Sequence, residues 1–123
     1  MLELLEEFAD AWNRHDLEGL MSMMTPDSVL VASSGNFVDG TRSEGQDGVR
    51  NAFAYVIEQF PDAHWGGAKH VVFGDRGFSE WSFTGTLSEG FRVQVNGCDL
   101  FTFRDNKIAI KNSTRRNRPP VQP

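Results

Sequence analysis

The sequence predicts an α+β domain in which one strongly curved antiparallel sheet wraps around three N-terminal helices, making a cone with an interior pocket. Three observations carry this. Apolar residues at helical spacing fill the first half of the chain, at Leu2, Leu5, Ala9 and Trp12 and again at Val49, Ala52, Phe53, Val56, Ile57 and Phe60. From His64 onward the pattern changes to strand-like runs separated by short turns. The stretch from Gly90 to Arg115 is the best-defined hairpin: Val93 and Val95 alternate with Arg92 and Gln94, Leu100 to Phe103 continue the strand, and Ile108 and Ile110 alternate on its return. Asp105-Asn106 between them are the residues that, after glycine, best tolerate positive φ, so a tight turn is expected there.

Taken in order, the first helix covers Leu2 to Arg14 on this pattern. Asp16 is a good N-cap for a short second helix burying Leu17, Leu20, Met21 and Met24. Pro26-Asp27 ends it, and Ser28 to Ala32 reads as a short strand. Ser33 to Glu44, rich in Ser, Gly, Asn and Asp, is a loop or loose hairpin around Phe37-Val38. The third helix carries the stripe from Val49 to Phe60 and stops at Pro61. His64 to Phe73 is a strand weakened by Gly66-Gly67, Gly74 to Gly77 a turn, Phe78 to Leu87 a further strand, and Ser88 to Gly90 the next turn.

At 123 residues and 39% hydrophobic composition, the chain has room for one core. The reading is a single domain over 1–115 and a flexible, basic, proline-rich tail over 116–123. A formal charge of −5 favours solubility and argues against nucleic acid as the main partner. Cys98 is the one cysteine, so no intrachain disulfide or zinc cluster is expected. MLELLEEF carries acids where a signal peptide would carry bases, and no apolar run approaches the ~20 residues of a membrane span. A cytoplasmic protein without membrane contact is expected.

Three phrases carry a family likeness: Ala11-Trp12-Asn13-Arg14-His15-Asp16-Leu17, Phe60-Pro61-Asp62, and Asp99-Leu100-Phe101-Thr102-Phe103-Arg104-Asp105-Asn106-Lys107-Ile108. With the order of elements, they resemble the SnoaL-like and ketosteroid-isomerase-like proteins of the nuclear-transport-factor-two fold, from Leu2 to about Arg115. That resemblance implies a cone-shaped pocket, but not one reaction, because the superfamily includes isomerases, cyclases, dehydratases, epoxide hydrolases and non-catalytic binding proteins. Asp99 resembles the strand aspartate that the isomerases keep protonated as an oxyanion donor. Their oxyanion tyrosine falls at Phe8 and their general-base aspartate at Ala32 or Ser33, so two of three working groups are missing. The acid set of limonene-type epoxide hydrolases fails as well, since Lys111 to Arg115 offers no second acid.

The expected site is therefore the chain's own. If Asp99 faces the cavity, so do Phe101 and Phe103 by the two-residue period. Alignment to the family puts Glu80 and Ser82 inward on the preceding strand, with Lys111, Ser113 and Arg115 inward on the last. Asp99, Glu80 and His64 are the candidate catalytic groups, and Trp12, Phe53, Trp65, Phe101, Lys111 and Arg115 the candidate substrate wall. Trp81 and Phe83 would then lie on the outer face, covered by a second subunit of a homodimer. The opposite parity, with Trp81 and Phe83 in the core and Glu80 solvated, stays open. His64, His70 and Glu80 share a parity, yet lack compact metal-ligand spacing, so no metal or other cofactor is assigned. Two functions follow: a cofactor-independent acid–base enzyme (isomerase, cyclase or dehydratase type) acting on a small apolar carbonyl or hydroxyl compound, or a non-catalytic dimeric binding module with Asp99 in a structural ion pair.

Overall fold

The computed structural model describes residues 1–35 and 38–122, so the expected turn position at Phe37 lies outside the described residues. Helix α1 (Leu2–Asn13) buries Leu5, Phe8, Ala11 and Trp12 on one face. The chain turns at His15, which has positive φ, and α2 (Leu17–Ser22) begins under the Asp16 cap, whose Oδ1 accepts from the Gly19 backbone N–H. Strand β1 (Met24–Val31) starts earlier than expected and contains Pro26. The proline is accommodated because register with the neighbouring strand is broken between Met24 and Val29, where no ladder bond from position 26 is needed. A short β2 (Arg42–Glu44) pairs back onto β1, and α3 (Gly45–Gln59) follows, ending at Phe60 before Pro61.

The remaining strands are β3 (His64–Phe73), β4 (Arg76–Thr86), β5 (Arg92–Arg104) and β6 (Lys107–Arg115). Among the described residues they complete one six-stranded sheet in the order β2-β1-β6-β5-β4-β3, curved and unclosed. All neighbours are antiparallel except β1 and β6, which run parallel. The β5–β6 turn is made by Asp105 and Asn106 at φ 54° and 62°, the positive-φ pair that the twist of a two-residue hairpin requires. Past β6 the tail stays extended. Arg116 N–H donates to the Asn96 carbonyl, and Val121 exchanges two backbone hydrogen bonds with Arg92, so 116–122 runs on along β5.

Three inward glycines set the tightness of the cone. A methyl group on Gly77 would stand 2.6 Å from the Phe103 ring, one on Gly85 2.7 Å from Phe60, and one on Gly97 2.5 Å from Trp81. Each glycine is a notch that seats an aromatic ring from a neighbouring element, letting helices and sheet approach more closely than any side chain there would permit. Gly77→Ala is accordingly expected to destabilise the fold by ~1–3 kcal/mol, as overpacking does. The check is a lower urea midpoint at unchanged slope; a midpoint equal to wild type would mean that Phe103 and Leu5 yield freely.

Candidate functional site

The concave face of the sheet, α1 and α3 enclose a cavity of about 310 Å³. Its wall is chiefly aromatic. Phe8, Trp12 and Phe53 pack edge to face at 4.7–6.4 Å between ring centroids, Trp65 lies 4.8 Å from Trp12, and Phe101 joins Phe8 at 5.9 Å. All six side chains expected to form the substrate wall line this cavity: Trp12, Phe53, Trp65, Phe101, Lys111 and Arg115. So do Phe8, Ala32 and Ser33, the positions where the resembled isomerases hold their tyrosine and base.

Across the floor runs one row of polar residues, because the strand registers bring His70 opposite Ser79, Ser79 opposite Asp99, and Asp99 opposite Ser113. Asp99 is 6% exposed and accepts three hydrogen bonds. Its Oδ1 takes Lys111 Nζ at 3.2 Å and Ser113 Oγ at 2.5 Å, and its Oδ2 takes Trp81 Nε1 at 3.0 Å. Lys111 Nζ also donates to Ser113 Oγ at 2.5 Å and stands 5.6 Å and 5.9 Å from the ring centroids of Trp12 and Phe53. Lys111 is thus held by a carboxylate on one side and by aromatic faces on the other, the two environments in which a buried ammonium is tolerated.

His70 occupies the far end of the row, with Nδ1 2.6 Å from Ser79 Oγ. Desolvation pushes its pKa below the ordinary 6.5, outweighing the opposing pull of Glu6 and Asp99, so the imidazole is neutral at pH 7. Arg115, at the opposite edge, lays its guanidinium 5.0 Å from the centroid of the buried Phe83 ring. Partial burial pushes its pKa below the usual arginine value.

Three expectations are corrected here. Glu80 is exposed on the convex face, and Ser79, one residue earlier, takes the inward place. Trp81 and Phe83 likewise face inward, Phe83 at 1% exposure against Phe60 and Trp65, and do not form an outer dimer surface. The physical reason is that β4 buries its odd positions, Gly77, Ser79, Phe83 and Gly85: the glycines seat aromatic rings of neighbouring elements, Phe83 packs on Phe60 and Trp65, and Ser79 bonds His70. His64 is exposed outside the cavity, and His70 stands in the wall instead. These two histidines do not share a face because the pairing sum changes between Gly66 and Lys69, an extra residue that flips the parity of everything after it. Gly67, at φ 63°, absorbs that bulge. Among the described residues no cluster of three metal-ligating side chains occurs.

Asp99 and Lys111 form a buried pair, and removing one partner leaves the other uncompensated. Asp99→Asn is expected to cost ~3–5 kcal/mol in urea unfolding, and Lys111→Met in the same background to recover much of it. An unchanged midpoint for the single variant would count against the pair.

Comparison with known proteins follows the geometry. The sequence profile of the SnoaL-like domain matches residues 5–110. No curated protein matches the chain. Solved structures share its shape at low identity. A candidate polyketide cyclase from Pseudomonas putida KT2440 is 15% identical with a TM-score of 0.81, over 95% of this chain and 90% of that one. TerC, co-crystallised with polyporic acid, is 21% identical with a TM-score of 0.79, over 93% and 89%. An NTF2-like protein of unknown function from Mesorhizobium loti is 21% identical with a TM-score of 0.78, over 94% and 89%. At such identities the likeness is one of fold.

Proposed function

The chain belongs to the SnoaL-like domain family, and from that premise we propose that it is a small-molecule pocket protein performing cofactor-independent acid–base chemistry on a compact, largely apolar carbonyl or hydroxyl compound. The observation that carries this reading is the aromatic-walled cavity crossed by a single polar row that ends in a neutral histidine. Apolar walls bind the body of the ligand, and a few convergent polar groups orient it.

The proton-carrying group in this reading is His70 rather than Asp99. All three donors around Asp99 are directed at its oxygens, which makes it the anchor of Lys111. His70 has a neutral ring with one nitrogen tied to Ser79, and such a ring can take a proton from a carbon next to a carbonyl. Lys111, fixed by Asp99, supplies the positive charge toward which the enolate oxygen would develop. The alternative, a non-catalytic binding module, draws support from the same Asp99–Lys111 pair, which satisfies the acid without any chemistry.

Proton exchange separates the two. With 2-tetralone in D2O, followed by proton NMR, the wild type is expected to exchange the α-protons above the buffer rate, and His70→Gln to lose ~10²-fold. A base must be deprotonated, and desolvation lowers the pKa of this one, so the fall in rate on acidification should set in at a lower pH than for an ordinary imidazole. A bound ketone that exchanges no faster than in buffer would leave the binding module.

A homodimer through the convex face belongs to this reading, with different residues from those first expected. Val71, Phe78 and Leu100 stand in register across β3, β4 and β5, and Val71, Leu100 and neighbouring Phe73 are 61%, 52% and 85% exposed. Three such side chains on one curved sheet make an apolar patch suited to a second copy. By light scattering the wild type should have twice the chain mass of 13.8 kDa and Leu100→Glu that mass alone; a monomeric wild type would remove the dimer.

A further inference from the structure

The charge balance of the cavity is the opposite of the chain's. The whole sequence carries a formal −5, whereas the wall of the cavity holds one carboxylate, Asp99, against two cations, Lys111 and Arg115. Lys111 is neutralised by Asp99 at 3.2 Å. Arg115 makes no salt bridge among the described residues and rests on the Phe83 ring. A guanidinium laid on an aromatic face, with its hydrogen-bond donors unspent on any carboxylate among the described residues, is poised for an anion.

Two further features point the same way. Gly97 stands opposite Arg115 on β5, and Trp81 lies over it, so the space beside the guanidinium is walled by an indole and not by a charged side chain. Strands β1 and β6 run parallel, so the segment leaving β1 and the end of β6 emerge at the same end of the sheet. Ser33 and Ser34, which follow β1, therefore line the cavity at the end where β6 delivers Arg115. Hydroxyl groups can donate to an oxyanion, and the one acid of the cavity wall, Asp99, is already bonded to Lys111, Ser113 and Trp81.

We propose that the cavity selects a flat, apolar ring compound bearing one carboxylate or acidic enolate, and that Arg115 receives this group while Trp12, Trp65 and Phe101 hold the ring. This rests on the reading of the cavity as a small-molecule pocket and adds the charge of its ligand. It does not require that the ligand be turned over. A flat ring suits the aromatic walls, and a delocalised oxyanion matches the planar fork of arginine better than the point charge of a lysine ammonium.

The test is isothermal titration calorimetry at pH 7.5 with 2-naphthoate and its uncharged counterpart 2-naphthamide. Wild-type protein is expected to bind the carboxylate at least ~10-fold more tightly than the amide, a difference of ~1.4 kcal/mol. Arg115→Gln should bring the two affinities together by weakening the carboxylate alone, and Arg115→Lys should restore part of the preference. Equal affinities in wild type, or a preference that survives Arg115→Gln, overturn the anion subsite and leave the pocket standing. Failure of both compounds to bind at millimolar concentration overturns the pocket reading and the subsite together. Because Arg115 makes no ion pair among the described residues, Arg115→Gln gives up only its contact with the Phe83 ring; unfolding curves of both variants should stay cooperative with midpoints close to wild type, so lost binding would not reflect lost fold.

Discussion

A carboxylate in an aromatic-walled cavity is the constraint to which the surrounding structure answers. Left alone, Asp99 would cost several kcal/mol or take up a proton, so donors have to be brought to it. They come from three directions: Lys111 and Ser113 on β6, and the Trp81 indole on β4. Those contacts require β4 to present its odd positions to the interior, which puts Ser79, Trp81 and Phe83 inside and Glu80 in solvent. They require β6 to present Lys111, which aligns Ser113 and Arg115 with it. The inward glycines then become necessary, because Trp81 can reach Asp99 only if Gly97 leaves room beneath its ring.

The helical layer is tied to this sheet by short polar contacts. Asn13, at the end of α1, pairs both ways with the backbone of Trp65, accepting its N–H at 2.8 Å and donating to its carbonyl at 3.0 Å. His15 reaches the Ala63 carbonyl at 2.8 Å, and Asp16 caps α2. Gln46, at the start of α3, donates toward the Met24 and Thr25 carbonyls at 3.2 and 3.1 Å. The Ala11-to-Leu17 phrase that marks the family is thus a joint: Asn13 and His15 satisfy backbone groups of the segment entering β3, and Asp16 satisfies an N–H that the start of α2 leaves unpaired.

Much of this was legible from one chain. Helical stripes, the Asp105-Asn106 turn and the two-residue alternation along β5 are local signals that follow from spacing or from φ preference. On β6, by contrast, a register shift puts Ile108 opposite Phe103 and Ile110 opposite Thr102 and so breaks the expected alternation of the two isoleucines. The cavity wall on α1 and α3 was legible from the helical stripes, and that on β5 and β6 from the family resemblance, which set Asp99, Lys111 and Arg115 inward. What failed was parity on β3 and β4. On β4, Ser-Glu-Trp-Ser-Phe puts aromatics at one parity and a lone acid at the other, and family alignment pointed to the acid. The glycines at 77 and 85 favoured the aromatics, since a tight interior selects glycine and rings on the same face. On β3 the one-residue bulge near Gly67 moves His70 in and leaves His64 out. Two adjacent glycines announce that a bulge is permitted, not where the extra residue falls, and so His70 and Ser79 went unread as a pair.

The two ends of the polar row divide the available chemistry by the kind of partner each end has. Asp99 is surrounded by donors, and a carboxylate in that state is spent on holding Lys111 in place. His70 has one neutral hydroxyl partner and a ring whose burial disfavours charge. A group that is neutral, half-buried and singly bonded exchanges a proton at little structural cost; one that anchors a buried ammonium does not. The likeness of Asp99 to the strand aspartate of the isomerases therefore extends to its position and stops at its role. In the isomerases that acid is kept protonated by an apolar site, whereas here Lys111 stands 3.2 Å away and converts the same strand position into a support. On the proposed reading, a change in the neighbours of one residue moves the acid–base role along the row.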